Sequence, residues 1–362
     1  MSNPSEPAQV PGRGPAQPAG GVTTPDAEVP ADDGAVVTSS FRRRQLLTQE
    51  LILLVILAVM IVIFGSINHN FVTRFNLVST VQDSTEFAPL AVGELFVLIT
   101  GGVDLSVGAI LGFAGVIAAL VARAVGGGGE TALIAAGSTA LAVGLVCGLV
   151  NGLMIVKIRI SPFVATLAML GVAGGLTLVV TGAVDVTPLP VLVSTVGNHT
   201  YLGVLTIPII ITIIVAVIGG VILHYTVFGR WTYAIGSNRT VARECGINVR
   251  RHLVLVYVLS GVLAGLAGFL VMARLGIGSP SEGANDELNA IVAVVIGGAS
   301  LFGGRGSMVG SMIGTLMLSV ILSGLIIIGV QPYWQTVVTG LLLAIAVAFQ
   351  TIGPARTAGE EL

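Results

Sequence analysis

GRWTYAIGSNRTVARECGINVRRH, residues 229–252, is the stretch on which the reading of this chain turns. Arg230, Arg239, Arg243, Arg250 and Arg251 all lie in it, in a chain whose charged fraction is only 9%. Apolar runs border it near 204–224 and 253–273, each close to the ~20 residues a helix needs to cross a bilayer. It therefore reads as a polar loop between two membrane spans. Within it, Ser237 and Asn238 can cap a short helix, since their side-chain oxygens accept from the free N–H groups of a first turn. Gly246 can end that helix in a left-handed conformation that costs glycine little. A helix over about 239–245 is too short to hold by itself in water. It suits docking to a soluble partner, against the plain alternative of a solvated basic connector.

The rest of the chain has the same character. Hydrophobic residues make up 54% of its 362 residues, whereas soluble domains run about 45–50% apolar and about 25% charged. The sequence predicts an all-α polytopic membrane protein with about ten transmembrane helices. The spans fall near 51–67, 76–99, 103–123, 131–156, 163–181, 204–224, 253–273, 288–301, 308–329 and 333–350. Residues 1–40, rich in Pro, Ala, Gly and Asp without an apolar run, are expected to be a disordered tail. The membrane domain then covers 41–352 and a short tail 353–362. Arg42-Arg43-Arg44 resembles a twin-arginine export signal. The apolar run after it is long, no small-residue cleavage site follows, and further spans come later, so it reads as an anchoring span.

Basic residues orient the spans. With ten spans and the N-terminus inside, Arg42–Arg44, Lys157, Arg159, the five loop arginines, Arg305 and Arg356 are cytoplasmic. Only Arg74, Arg123 and Arg274 then fall outside. Both termini are expected in the cytoplasm of a bacterial cell, with outside segments near 68–75, 182–203 and 274–287. Asn198-His199-Thr200 matches a glycosylation triplet, a pattern that also arises by chance.

Two places break the spans. Thr100-Gly101-Gly102-Val103-Asp104-Leu105-Ser106 joins two spans with almost no loop, and the span from Glu287 is interrupted at Gly297-Gly298. Irregular backbone at membrane depth must line a cavity or be buried in protein, as at the broken helices of transporters. Gly101, Gly102, Val107, Gly108 and Gly112 recur at a constant offset as Gly303, Gly304, Val309, Gly310 and Gly314. This is a repeat remnant, or a product of helix packing in a glycine-rich chain. Near the first break stand two carboxylates, Glu94 and Asp104. A carboxylate in a span costs at least ~2.5 kcal/mol and is a functional candidate by default. Asp104 can instead cap the next helix, where the dipole favours its charge. Asn151, Ser161 and Thr166 flank a turn after which Pro162 starts a helix. Their polar groups suit bonds to neighbouring helices.

Several chemistries are absent from the sequence. His69, His199, His224 and His252 are scattered and no metal-ligand spacing occurs, so no metal site is expected. Cys147 and Cys245 lie on a span and on the arginine loop, poor placement for a disulfide. Lys157, the only lysine, is followed by Ile158, and a phosphate-binding P-loop needs Gly-Lys followed by Ser or Thr. If ATP powers this chain, another polypeptide hydrolyses it.

Over roughly 50–350 the sequence resembles the permease subunits of ribose-type sugar ABC importers. Four ordered blocks carry the resemblance: 97–108 (VLITGGVDLSVG); Asn151-Gly152 with 162–167 (PFVATL); Gly236-Ser237-Asn238 with Ala242 and 246–249 (GINV); and Glu287-Leu288 through 297–306 (GGASLFGGRG). The resemblance implies a type II-like ABC importer permease with glycine-interrupted, discontinuous segments. It implies an ATPase-docking loop, whose candidate docking residues in this chain are Ser237, Asn238, Arg239, Ala242, Arg243, Glu244, Gly246 and Ile247. The candidate pore or helix-break positions are Glu94, Gly101, Gly102, Asp104, Ser106, Asn151, Phe163, Thr166, Gly297 and Gly298. The implied partners are ABC ATPase subunits that use ATP and Mg, an extracytoplasmic sugar-binding protein, a second permease copy and the lipid bilayer, with no nucleic acid. The chain itself binds no cofactor. Val241, Glu244 and Cys245 depart from the small or apolar residues expected in the loop helix, and the motifs do not fix the sugar. Two other classes stand beside this reading: a proton- or sodium-coupled transporter using Glu94 or Asp104, and a membrane enzyme, for which the sequence offers no nucleophile–base pair.

Overall fold

The computed structural model describes residues 34–126, 129–201 and 204–352. Most of the expected tail, residues 1–33, and the segment 353–362 lie outside the described residues. The backbone is already helical at Gly34, inside the stretch expected to be disordered. No Gly or Pro interrupts 35–50, so the helix of the first span continues upstream without a breaker. Two compact units divide at Arg44, and the helical bundle is built from Gln45 onward.

Thirteen α-helices are described: α1 (Gly34–Ile67), α2 (Arg74–Ile99), α3 (Val107–Val125), α4 (Glu130–Leu153), α5 (Pro162–Thr181), α6 (Val191–Asn198), α7 (Ile207–Tyr225), α8 (Val227–Ser237), α9 (Arg239–Glu244), α10 (Val249–Leu275), α11 (Asp286–Ile296), α12 (Met308–Ile327) and α13 (Tyr333–Ile352). A two-stranded hairpin, β1 (Thr200–Tyr201) and β2 (Leu205–Thr206), pairs Thr200 with Thr206 and Tyr201 with Leu205. Among the described residues, eight helices are long and apolar enough to cross a membrane. They correspond to eight of the ten expected spans. The other two fall short for different reasons. α2 has 26 residues but carries Arg74, Asp83, Glu86 and Glu94. α11 has 11 residues, about 16 Å at 1.5 Å per residue, so it reaches only halfway across. The span expected over 288–301 is thus a half-helix followed by a loop, because the backbone leaves the helix at Gly297-Gly298.

α10 runs through the middle, packed against α2, α3 and α4. Its close approach to α4 rests on small residues: a Cβ on Gly144 would strike the Gly261 carbonyl, and one on Gly261 the Gly144 carbonyl. Burial in lipid gives helices no hydrophobic reason to associate, so such backbone-to-backbone packing supplies the contact. Large apolar side chains such as Val62, Val179, Val217 and Phe349 stay exposed on α1, α5, α7 and α13. α4 carries exposed apolar side chains as well, Ile134 and Val146 among them.

The contacts sort the connecting segments into two ends. At one end lie the segment after α2, the segment after α4, the α8–α9 pair and the loop between α11 and α12, carrying Lys157, Arg159, the five loop arginines and Arg305. At the other, Asn68 donates to the Ile327 carbonyl and Val186 bridges Gly278. Arg123 reaches the Thr187 carbonyl there, and Arg274 pairs with Asp83 at 3.0 Å and Glu86 at 3.1 Å. The uneven distribution of basic residues along the sequence is therefore a division in space as well. Asn198 of the glycosylation triplet sits at this second end, its amide held by the Ser194 and Arg274 carbonyls. Cys147 is buried and Cys245 exposed, and both are free thiols.

Candidate functional site

The first break begins where α2 ends. Gly101 takes φ +73°, a conformation that side chains resist, and the chain turns back into the bundle. Gly102 passes so close to Tyr257 that a Cβ there would meet its hydroxyl at 2.5 Å. The returning backbone then binds to the helix it has just left, as the Asp104 N–H donates to Glu94 Oε1 at 3.2 Å. Asp104 Oδ1 accepts from the Ser106 N–H (3.0 Å) and the Ser106 hydroxyl (2.6 Å), and Oδ2 accepts from Ser260 of α10 (2.9 Å). Asn151 of α4 donates to Ser106 Oγ at 2.8 Å. Thr166 of α5 donates to the Pro162 carbonyl and, at 3.4 Å, to that of Val103.

Glu94, Asp104, Ser106, Asn151 and Thr166 are all 0% exposed. The cap expected of Asp104 is not made to a first-turn N–H of α3. Asp104 bonds Ser106, the residue at the N-cap of α3, and the Ser106 side chain makes no capping bond of its own. The carboxylate stands before a helix N-terminus, where the dipole favours it. Among the buried atoms without a hydrogen-bond partner in the described residues, Glu94 Oε2, Asn151 Oδ1 and the Tyr257 hydroxyl lie at this break. Ser260 and Tyr257 carry no local signal in the sequence, because each is a single polar residue inside an apolar span. Phe163 is set apart from this network, exposed on the first turn of α5.

The second break repeats the backbone device with other side chains. Gly298 has φ +95°, and a Cβ on Gly297 would strike the Gly310 carbonyl. The loop is held by Gln350 of α13, which donates to the Ala299 carbonyl at 2.8 Å and accepts from the Leu301 N–H. Ser307, which caps α12, donates to Glu50 of α1 at 2.7 Å. The two breaks meet where the Gly304 N–H donates to the Ile99 carbonyl at 2.9 Å.

The arginine-rich stretch forms two helices where the sequence suggests one. α8 is capped by Thr226, and Gly229 lets it fold tightly back on the end of α7. α9 is capped by Asn238, whose side chain accepts from the Thr240 and Val241 N–H groups. Ser237 is the last residue of α8 rather than a cap. Gly246, at φ +81°, closes α9, with the Ile247 N–H returning to the Ala242 carbonyl. Ala242 is buried on Ile235, Val249 and Leu253, with Ile247 partly buried beside it. These two seat the helix, while Val241, Arg243, Glu244 and Cys245 stay exposed. Arg239 is exposed too, with its guanidinium donating to the Thr100 carbonyl at 3.0 Å.

At the opposite end a cavity of about 280 Å³ opens between α3, α5 and the loop before α11, lined in part by Thr177, Glu282, Asn285 and Glu287. Burial pushes the Glu282 carboxyl above its usual range; nearby Arg274 draws it back and Asp185 raises it further. Among the described residues, no group of three or more His, Cys, Asp or Glu side chains could hold a metal ion.

The profile of the branched-chain amino acid transport system permease component family matches residues 76–347. The chain is 39% identical over 293 residues to the ribose import permease protein RbsC of Escherichia coli (strain K12), covering 80% of this chain and 89% of that one. It is 36% identical over 295 residues to the D-allose transport system permease protein AlsC of the same strain, covering 81% and 89%. It is 32% identical over 296 residues to the fructose import permease protein FrcC of Rhizobium meliloti, covering 80% and 81%. No solved structure matches it. The chain belongs to this permease family, among its ribose-type ABC members, as a multi-pass membrane protein.

Proposed function

We propose that this chain is the membrane-spanning subunit of an ATP-binding-cassette importer for a monosaccharide, a ribose-like pentose or a hexose. It works by alternating access, driven by a separate ATPase chain that uses ATP and Mg; this chain carries no ATPase site and holds no cofactor. The observation that carries the reading is the α8–α9 pair. It presents Val241, Arg243 and Glu244 outward from the arginine-rich end while its inner face is seated on α10 and fastened to both helix breaks. A pair held in this way can pass a push from a docked protein into the backbone of the bundle.

The remaining features fit the same machine. The arginine-rich end is the cytoplasmic one, so both termini are cytoplasmic and the cavity beside Thr177, Glu282, Asn285 and Glu287 opens outside. Carboxylate, amide and hydroxyl groups there suit the hydroxyls of a sugar delivered by an extracytoplasmic binding protein. A second permease copy completes the pore. Glu94 and Asp104 hold the first break in place, Asp104 with both carboxylate oxygens engaged by Ser106 and Ser260.

Uptake of radiolabelled ribose, allose and fructose into proteoliposomes decides the matter. Permease, a partner ABC ATPase and a sugar-binding protein should import at least one sugar only when ATP is supplied to the ATPase, at a rate unchanged by proton or sodium ionophores. Uptake by the permease alone, abolished by an ionophore, would establish ion coupling instead.

A further inference from the structure

Of the candidate docking residues, Arg239 is exposed like Arg243 and Glu244, but its guanidinium is bonded back onto the protein itself. It is the first residue of α9, yet its Nη2 lies 3.0 Å from the Thr100 carbonyl and 3.5 Å from that of Gly101. Those carbonyls belong to the end of α2, where the last turn leaves acceptors without intrahelical donors and the helix dipole favours a cation. A guanidinium offers several donors in a fixed fork and can hold two adjacent carbonyls at once.

The same corner has a second fastening made of backbone. Gly236, near the end of α8, has no room for a side chain: a Cβ would strike the Ile99 carbonyl. Gly303, at φ +89°, would bring a Cβ to 3.0 Å from both the Gly101 nitrogen and the Gly236 carbonyl oxygen. Gly304 donates to Ile99, and the Tyr233 hydroxyl of α8 donates to the Gly306 carbonyl at 2.7 Å. Three chain segments therefore touch without intervening side chains. α8–α9 cannot slide past either break without losing hydrogen bonds to it.

We propose that Arg239 is a positioning residue, a clasp that makes α8–α9 and the two helix breaks move as one body, and not a contact to the ATPase. This role rests on the transport reading, and within it each part of the pair has a separate task. Arg243 and Glu244 meet the partner, and Arg239, helped by Tyr233, carries the displacement inward to the start of α3 and, through the loop after α11, to the start of α12.

The test uses the full permease–ATPase complex with Arg239→Ala, Arg239→Lys and Tyr233→Phe, each checked for equal abundance in the membrane. Three quantities are measured: ATPase co-purified in detergent, sugar uptake, and ATP hydrolysed per sugar moved. For Arg239→Ala, co-purification should stay within about twofold of wild type while ATP hydrolysed per sugar rises about tenfold, the loss of a charge-assisted bond. Arg239→Lys should recover part of the coupling, since an ammonium can reach one carbonyl, and Tyr233→Phe should uncouple less. A parallel fall of co-purified ATPase and uptake in Arg239→Ala would overturn the proposal and make Arg239 a docking contact. Unchanged uptake and unchanged ATP per sugar in both Arg239 variants would also overturn it. Failure of wild-type permease to capture any ATPase would instead remove the transport reading, and the clasp with it.

Discussion

The two helix breaks share a glycine framework and differ in what fixes them. Gly101 and Gly303 both sit at positive φ, and the recurring glycines beyond them do parallel work. Gly108 and Gly112 of α3 receive the backbone of 282–287 before and at the start of α11, while Gly310 and Gly314 of α12 receive its far end at Ala293 and Gly297. The same stripe on two helices thus grips the two ends of one half-helix. At the offset that aligns the glycines, Glu94 and Asp104 of the first break correspond to Ile296 and Gly306 of the second. The first is locked by buried carboxylates, the second by Gln350 from α13 and by the Ser307–Glu50 bond from α1. Glycine makes a break possible, and the side chains around it set how firmly it is held.

If that comparison is right, the largest loss should come at the first break. Asp104→Ala strands the Ser106 N–H, the Ser106 hydroxyl and the Ser260 hydroxyl, and should destabilise the folded permease by about 3 kcal/mol or more. Asp104→Asn keeps an acceptor for Ser106 and should cost only about 1 kcal/mol. Protease resistance against denaturant in membranes reads both. Equal losses would mean that charge, and not hydrogen bonding, holds the break.

Next in size are the framework glycines. Valine at Gly101 or Gly303 places a β-branched residue at positive φ and should cost about 1–3 kcal/mol each. Gly340, on α13 with open space around it, is the control: Gly340→Val loses glycine's backbone freedom at no steric cost and should change stability by less than about 0.5 kcal/mol. A similar loss at all three sites would show that the paired glycines have no special role. A smaller effect than at the framework glycines is expected from Gln350→Ala, which removes two bonds to a partly exposed loop at the second break and should cost about 1 kcal/mol. A loss as large as that of Asp104→Ala would reverse the order of the two breaks.

Much of the fold is legible in the sequence because the bilayer imposes a simple rule: apolar runs of adequate length become helices. Eight spans, the division of basic residues between two ends, the Asn238 cap and the Gly246 stop all follow from local signals. The features that are not legible are non-local or ambiguous. Gly297-Gly298 reads as an interruption within a span, when it is where α11 stops, since nothing in 288–301 marks a half-helix by composition. α8 is hidden because its Val227-Phe228 start continues the apolar run of α7, with Thr226 as the only marker. Ala242 and Ile247 share a motif with Arg243 and Glu244, yet three-dimensional packing sends one pair inward and the other outward. The bond from Arg239 to the Thr100 carbonyl depends on α2 ending beside it, which no local pattern encodes.

The central claim is that the α8–α9 pair is where an ATPase drives this permease. Co-purification of the ATPase with the permease in detergent, for wild type and for the Arg243→Glu, Glu244→Arg double variant at equal membrane abundance, tests it most directly. Charge reversal on the exposed face sets like charges against the partner, while the buried seat at Ala242 is untouched. We predict at least about a tenfold loss of captured ATPase with the permease still folded, and a matching loss of sugar uptake. Full capture and full uptake by the double variant would contradict the account and leave the stretch 229–252 as a solvated connector.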